Sequence, residues 1–219
     1  MIIKGSPMKT RILSVKMIPN ADPALLKALN APDGCRSLGI FTSDCDDVSY
    51  TALDEATKKA PVTVVYARSM YAGAGNASTA LAGEFIGILA GGTPSDVSSG
   101  LAAAVQYAEE QACFYSANED DSVVYFAHCI SRTGSYLSAQ ANVPEGTAMA
   151  YLIAPPLEAI LGLDAALKAA DVTLQVFYNP PSETNFAGGL LTGDQSACAA
   201  ACQAFAQTVC VVAESPIQF

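Results

Sequence analysis

The sequence predicts an α+β protein made of two copies of one small domain, and three observations carry that prediction. The stretch Leu53-Asp54-Glu55-Ala56-Thr57-Lys58-Lys59-Ala60-Pro61-Val62 recurs as Leu163-Asp164-Ala165-Ala166-Leu167-Lys168-Ala169-Ala170-Asp171-Val172, a shift of 110 (163 − 53) in a chain of 219 residues. Both copies run from a helix-like pattern into a β-branched strand. Around them, strand and turn signals come in the same order in each half, as a repeat architecture requires. The expected domains are residues 1–112 and 113–219, each near the usual domain size, with no low-complexity linker between them.

The elements follow in sequence. Alternation over residues 13–17 marks a half-buried strand, and its counterpart is 123–127. Asp22-Pro23 opens a short helix, with Asp as cap and Pro in the first turn, and Pro32-Asp33-Gly34 closes the excursion; Pro144-Glu145-Gly146 echoes that turn. A strand at 37–42 matches 148–153, the repeated helices are 49–59 and 156–169, and strands 62–67 and 172–178 come next. Residues 82–87 align with 187–191 at an offset of 105, which makes the first connecting loop five residues longer. Each half ends on a long helix, 95–111 and 194–213, with Ser95 and Asp194 as N-caps. The unit reads β-α-β-α-β-β-α: a small antiparallel sheet with flanking helices.

Composition narrows the function. Apolar residues make up 51% and charged residues only 15%, so much apolar surface must be covered in cores or between subunits. Eleven scattered basic residues and a net charge of −10 leave no stripe for phosphates, so no nucleic-acid partner is expected. The first ten residues have no apolar leader, and residues 197–213, which include Gln203 and Gln207, fall short of a bilayer span; a cytosolic protein without a membrane partner is expected. The seven cysteines are odd in number and lack a Cys-x-x-Cys pair, against a disulfide framework or a zinc ribbon. Cys198 and Cys202, four apart on a helix among alanines, read as small apolar fillers, with no metal site assigned.

Enzyme chemistry finds little support. The one histidine, His128, adjoins Cys129 on a strand, so their side chains point to opposite faces and cannot form a dyad. No Gly-x-Ser-x-Gly elbow is present. Gly73-Ala74-Gly75 imitates part of a dinucleotide fingerprint, but a strand follows it, so no helix N-terminus would meet a pyrophosphate. The long, permissive 68–80 connection instead reads as a moving loop.

The chain resembles a known family. Leu163 to Val172 is similar to the signature helix-strand of bacterial microcompartment shell domains. Ser37-Leu38-Gly39, Asp46-Asp47-Val48, Val64-Val65-Tyr66-Ala67-Arg68-Ser69, Tyr71-Ala72-Gly73-Ala74, Ser131-Arg132-Thr133-Gly134-Ser135-Tyr136-Leu137, Ala154-Pro155-Pro156-Leu157-Glu158-Ala159 and Pro181-Ser182-Glu183-Thr184-Asn185 resemble the tandem-domain shell proteins of ethanolamine utilisation, the EutL type. The resemblance covers residues 13–219. It implies two tandem, circularly permuted shell domains and a structural tile rather than an enzyme. Three chains would form a flat pseudohexamer that tessellates with other shell proteins around a cytoplasmic bacterial organelle.

The resemblance also assigns roles. Lys58 and Lys168, which spacing alone reads as solvated helix lysines, match the lysine of the tile border. Asp44, Asp46 and Asp47 read locally as a helix cap and loop carboxylates; the resemblance turns Asp46 and Asp47, with Glu84, Phe114 and Thr184, into a small-pore site for ethanolamine. Carboxylates there supply charge-assisted hydrogen bonds to an ammonium. Arg68, Tyr71, Gly73, Gly75 and Glu183 would line or gate a central pore. No cofactor is assigned, and cobalamin enters as a minor candidate ligand. The alternatives are a tandem tile of a propanediol or choline organelle, and a cytosolic metal- or thiol-dependent enzyme.

Overall fold

The computed structural model describes residues 5–70, 79–180, 182 and 184–217. The chain divides into two compact units, Thr10–Ala112 with Gly134–Leu137, and Met1–Lys9 with Cys113–Thr133 and Ser138–Phe219. Relative to the expected division, residues 1–9 and 134–137 belong to the other unit. Two local causes account for this. Strand β1 (Pro7–Met8) pairs with the strand Phe114–Ser116, and Gly134–Leu137 are hydrogen-bonded by Asp54 and Thr57.

The unit around residues 10–112 contains β2 (Ile12–Ile18), α1 (Pro23–Ala28), β3 (Ser37–Ser43), α2 (Asp46–Lys59), β4 (Val62–Ser69), β5 (Phe85–Gly91) and α3 (Pro94–Glu110). Its sheet is antiparallel throughout, in the order β2-β3-β5-β4. Phe41, Phe85 and Leu89 of the sheet and Val48, Leu53, Val97 and Ala104 of α2 and α3 are buried. Each such Leu, Val or Phe contributes about 1.5–3 kcal/mol on burial. Leu26 and Leu29, at the end of α1, cover Leu38 and Ala90 beside Ala21.

Helix ends follow local chemistry. Asp22 caps α1 by accepting from the Ala24 amide, as expected. Helix α3 starts earlier than Ser95 because Thr93 and Asp96 form a reciprocal capping box with Pro94 in the first turn. Helix α2 starts at Asp46 rather than residue 49 and places Asp46 and Asp47 in its first turn, next to the positive end of the helix dipole.

The second unit contains β1, β6 (Phe114–Ser116), β7 (Val124–Ile130), most of α4 (Ser135–Ala141), β8 (Met149–Ala154), α5 (Pro156–Ala169), β9 (Val172–Tyr178), β10 (Ala187–Gly193) and α6 (Gln195–Glu214). Its antiparallel sheet runs β1-β6-β7-β8-β10-β9. Leu152, Leu191, Ala159, Leu163, Phe205 and Val209 form its core, and Cys198, Cys202 and Cys210 sit among them. Burial pushes the Cys202 thiol well up, and the Cys198 thiol, also beside Cys129, up to about 11. Helix α6 has the 20 residues of the expected helix, shifted by one, and is apolar enough by length and composition to cross a bilayer. It lays one face of that length into the core.

Backbone irregularities are duplicated with the elements. Asn30 and Asn142 both have φ 53°, and Gly34 and Gly146 follow four residues later at φ 90° and 84°. The amides of Asn30 and Asn142 bond to Lys27 and Ala139, and those of Ala31 and Val143 to Leu26 and Ser138, the same helix ending twice. A bulge leaves Val65 of β4 unpaired against β5, and Gln175 of β9 is left out in the same way against β10. The pairings Val62–Gly91 and Val172–Gly193 give β5 and β10 an offset of 102 (193 − 91). The offset of 105 is corrected: the first loop is eight residues longer, not five. The similar Ala-Gly dipeptides at 82–83 and 187–188 lie three residues out of register with each other.

The two repeated helices differ in what covers them. Asp54 on α2 accepts hydrogen bonds from the Gly134 amide at 2.7 Å and the Leu137 amide at 2.9 Å, and the Thr57 hydroxyl accepts from the Ser135 amide at 3.1 Å. A Cβ at Gly134 would lie 2.6 Å from the Asp54 carbonyl oxygen, so only glycine fits against the helix there. On α5, Leu157, Ile160, Leu161 and Leu167 are exposed, at 38–56%.

Candidate functional site

Three of the expected ligand residues lie in the first unit. Asp46 is buried at the start of α2, where its Oδ1 accepts from the Asp47 amide at 2.8 Å and its Oδ2 from the Ser69 hydroxyl at 2.7 Å. Burial raises its carboxyl above the ordinary value, and the bonds from Ser69 and the Asp47 amide pull it back. Asp47 is buried next to it. Asp44 is committed elsewhere. Its carboxylate takes the Arg11 amide at 2.7 Å and the Arg11 Nε at 2.9 Å, which pins the loop before α2.

Glu84 is half-buried just before β5. Its amide donates to the Ser43 carbonyl at 2.8 Å, and its carbonyl accepts from the Met70 amide at 2.6 Å. Gly83 makes this approach feasible. Its φ is 66°, and a Cβ there would lie 2.2 Å from the Ser43 carbonyl oxygen.

Phe114 and Thr184 belong to the second unit. Phe114 is buried, with its ring stacked on Phe126 at 5.3 Å and Phe186 at 6.1 Å. Both ring contacts are apolar, so a polar contribution from Phe114 has to come from its backbone. Thr184 sits in a turn where its amide and hydroxyl lie 3.4 and 3.5 Å from the Ser182 hydroxyl, next to Asn185 at φ 64°.

Among the pore residues, Arg68 is exposed near the end of β4, opposite Ile86. Tyr71, Gly73, Gly75 and Glu183 lie outside the described residues. The border lysines differ. Lys58 Nζ is 2.6 Å from Glu55 Oε2 and 3.6 Å from Asp54 Oδ2, with its stem against Gly134, whereas Lys168 is three-quarters exposed and pairs with Asp164 at 2.6 Å. His128 stacks on Phe126 at 5.4 Å, while the Cys129 thiol approaches the Gln195 carbonyl on α6. The two side chains point apart, as their adjacency on a strand requires.

Ser69, Tyr50 and Asp54 escaped the sequence reading. Ser69 meets Asp46 across 23 positions, and Asp54 meets its amides across 80 and 83. No local spacing signals such pairs.

Known proteins match this chain over nearly its whole length. A family profile for the BMC domain covers residues 37–119. The bacterial microcompartment shell protein EutL of Clostridium perfringens (strain 13 / Type A) is 61% identical over 99% of this chain and 100% of its own. The chain belongs to the EutL-type bacterial microcompartment shell proteins. The solved structure of EutL from Leptotrichia buccalis C-1013-b superposes on this shell protein with a TM-score of 0.97 and 63% identity, over 99% of this chain and 100% of that one. The fold is also shared with a trimeric bacterial microcompartment shell protein, PduB, at a TM-score of 0.74 and 19% identity over 93% and 89% of the two chains. This shell protein is a structural component of a protein-bounded compartment for ethanolamine utilisation and not an enzyme, and its fold is the tandem shell-domain fold.

Proposed function

We propose that the shell protein assembles as a homotrimeric tile, a pseudohexamer of six repeats, in a cytoplasmic organelle, and that it admits small ammonium compounds through acidic pores beside a gated central pore. The observation that carries the trimer is the unequal cover of α2 and α5. The equivalent of Gly134–Leu137 in the first repeat is Asp22–Leu25, by the alignment that equates Asn30 with Asn142. Leu25 is 41% exposed, and so is the apolar face of α5. A second copy that brings its Asp22–Leu25 to this α5 would cover both.

Two substitutions fit this pairing together. Where Thr57 accepts from the Ser135 amide, the second contact would have Leu167 and Pro23. Proline has no amide hydrogen, so losing the acceptor leaves no donor unpaired. Such a contact is heterologous, and three repetitions close it into a ring.

Ethanolamine as the ligand is supported by the buried carboxylates Asp46 and Asp47, with Glu84 held near the end of β4. An ammonium would gain charge-assisted bonds there. Asp46→Ala and Glu84→Ala are each expected to abolish the heat of ethanolamine binding in titration calorimetry. Wild-type heat in both variants refutes the site, and a stronger signal with choline or propane-1,2-diol assigns the tile to another organelle.

The border role falls on Lys168, whose long stem can cover apolar surface while its ammonium meets a neighbour's carbonyls. Lys168→Ala should leave the trimer intact in sedimentation and reduce the flat sheets seen by electron microscopy. Sheets as extensive as wild type refute the assignment.

A further inference from the structure

Ser69 and Met70 are tied to both carboxylate-bearing elements of the first unit. Ser69 Oγ lies 2.7 Å from Asp46 Oδ2 and 2.8 Å from the Tyr50 hydroxyl, the Ser69 amide donates to that hydroxyl at 2.9 Å, and the Met70 amide holds the Glu84 carbonyl. An ionised Asp46 offers only acceptors, so the serine proton points to it. For the Ser69–Tyr50 contact to be a hydrogen bond, the phenol then donates to Ser69 Oγ. The chain of donation is therefore fixed in direction: Ser69 amide to Tyr50, Tyr50 to Ser69 Oγ, Ser69 Oγ to Asp46.

Tyr50 has little freedom to leave. Its ring meets Phe85 edge-on at 5.0 Å and stacks with Tyr136 at 6.3 Å, inside the same unit. Bonds in such a chain polarise one another, and a rigid donor costs no reorganisation when a cation arrives.

We propose that Ser69 and Tyr50 are positioning residues for the ammonium site: they hold Asp46 ionised and in one rotamer, and the same two-residue segment fixes Glu84 through Met70. This inference rests on the ethanolamine reading for its ligand and on the hydrogen bonds alone for its geometry. It also puts the end of β4 in direct contact with the carboxylate.

The test separates the two. In protein labelled with ¹³C at the aspartate carboxyls, Asp46 is assigned by its loss in Asp46→Asn and titrated by NMR. The charged groups to account for are Asp47, Glu84 of the same proposed site and, once ionised, Cys45, whose thiol burial pushes well up. Ser69→Ala should raise the Asp46 titration midpoint and weaken ethanolamine binding roughly tenfold or more, since hydrogen bonds to charged groups are worth about 1.5–3 kcal/mol. Tyr50→Phe should do both to a smaller extent, and Ser69→Thr, which keeps the hydroxyl, should restore both. An unchanged Asp46 midpoint in Ser69→Ala, or no rescue by threonine, overturns the positioning role. A shifted midpoint in a protein whose wild type gives no ethanolamine heat supports it and removes the ligand reading instead.

Discussion

Asp54→Ala is expected to lower folding stability by roughly 2–4 kcal/mol, read as a lower urea midpoint at unchanged slope. The carboxylate is 1% exposed and serves two amides at the start of α4, Gly134 and Leu137. In most helices that service comes from the N-cap side chain itself. Gly134 has none, and the close approach of α2 forbids one. Alanine at 54 therefore strands two amide donors and removes the more distant of the two carboxylates beside Lys58. Asp54→Asn keeps an acceptor and should cost less. Stability equal to wild type in the alanine variant would mean that water replaces the carboxylate at no cost.

The acid dependence has a definite sign. Burial raises the Asp54 carboxyl, while the two amides and Lys58 work against that rise. The folded chain thus takes up this proton before the unfolded chain does. The group adds stability as pH falls towards the ordinary carboxylate value of about 4 and withdraws it as pH rises through the folded value. The gap between wild type and Asp54→Asn should widen on acidification over that window.

Placing two carboxylates on the exposed face of α5, Ile160→Glu with Leu161→Glu, is expected to leave a folded monomer. Both side chains are exposed in the single chain, at 44% and 47%, so the substitution breaks no core contact. If a second copy covers that face, each carboxylate must be desolvated without a partner. A penalty of about 4 kcal/mol corresponds to a thousandfold loss in association. Sedimentation at micromolar concentration should show the monomer mass, with the circular dichroism of the wild type. A variant that stays trimeric and folded would remove α5 from the interface and leave its leucines to the lattice between tiles.

The order β-α-β-α-β-β-α and most strand limits were legible because strands such as β2 alternate, the apolar runs of β8 and β10 recur at the repeat spacing, and several helices carry their own turn chemistry. Helix α4 was not. Its cap is supplied by Asp54 from a distant position, so the local signature of a start is missing from the chain. Strands β1 and β6 are two and three residues long and exist only because they pair with each other and with β7. Single carboxylates could be singled out from the apolar runs around them. Their hydrogen-bond partners could not, since Ser69 and Tyr50 become neighbours only when β4 lies beside α2.

In the proposed trimer, the exchange of Thr57 and Ser135 for Leu167 and Pro23 would bear on how such a wall can evolve. In a six-membered ring of one repeated domain, any change at the junction is made six times and must suit every junction at once. A fused pair of domains has alternating junctions. In the proposed ring, one kind of contact can stay polar within a chain while the other turns greasy and sets the strength of self-assembly. Selection can then tune how readily tiles form without disturbing the fold of any one tile.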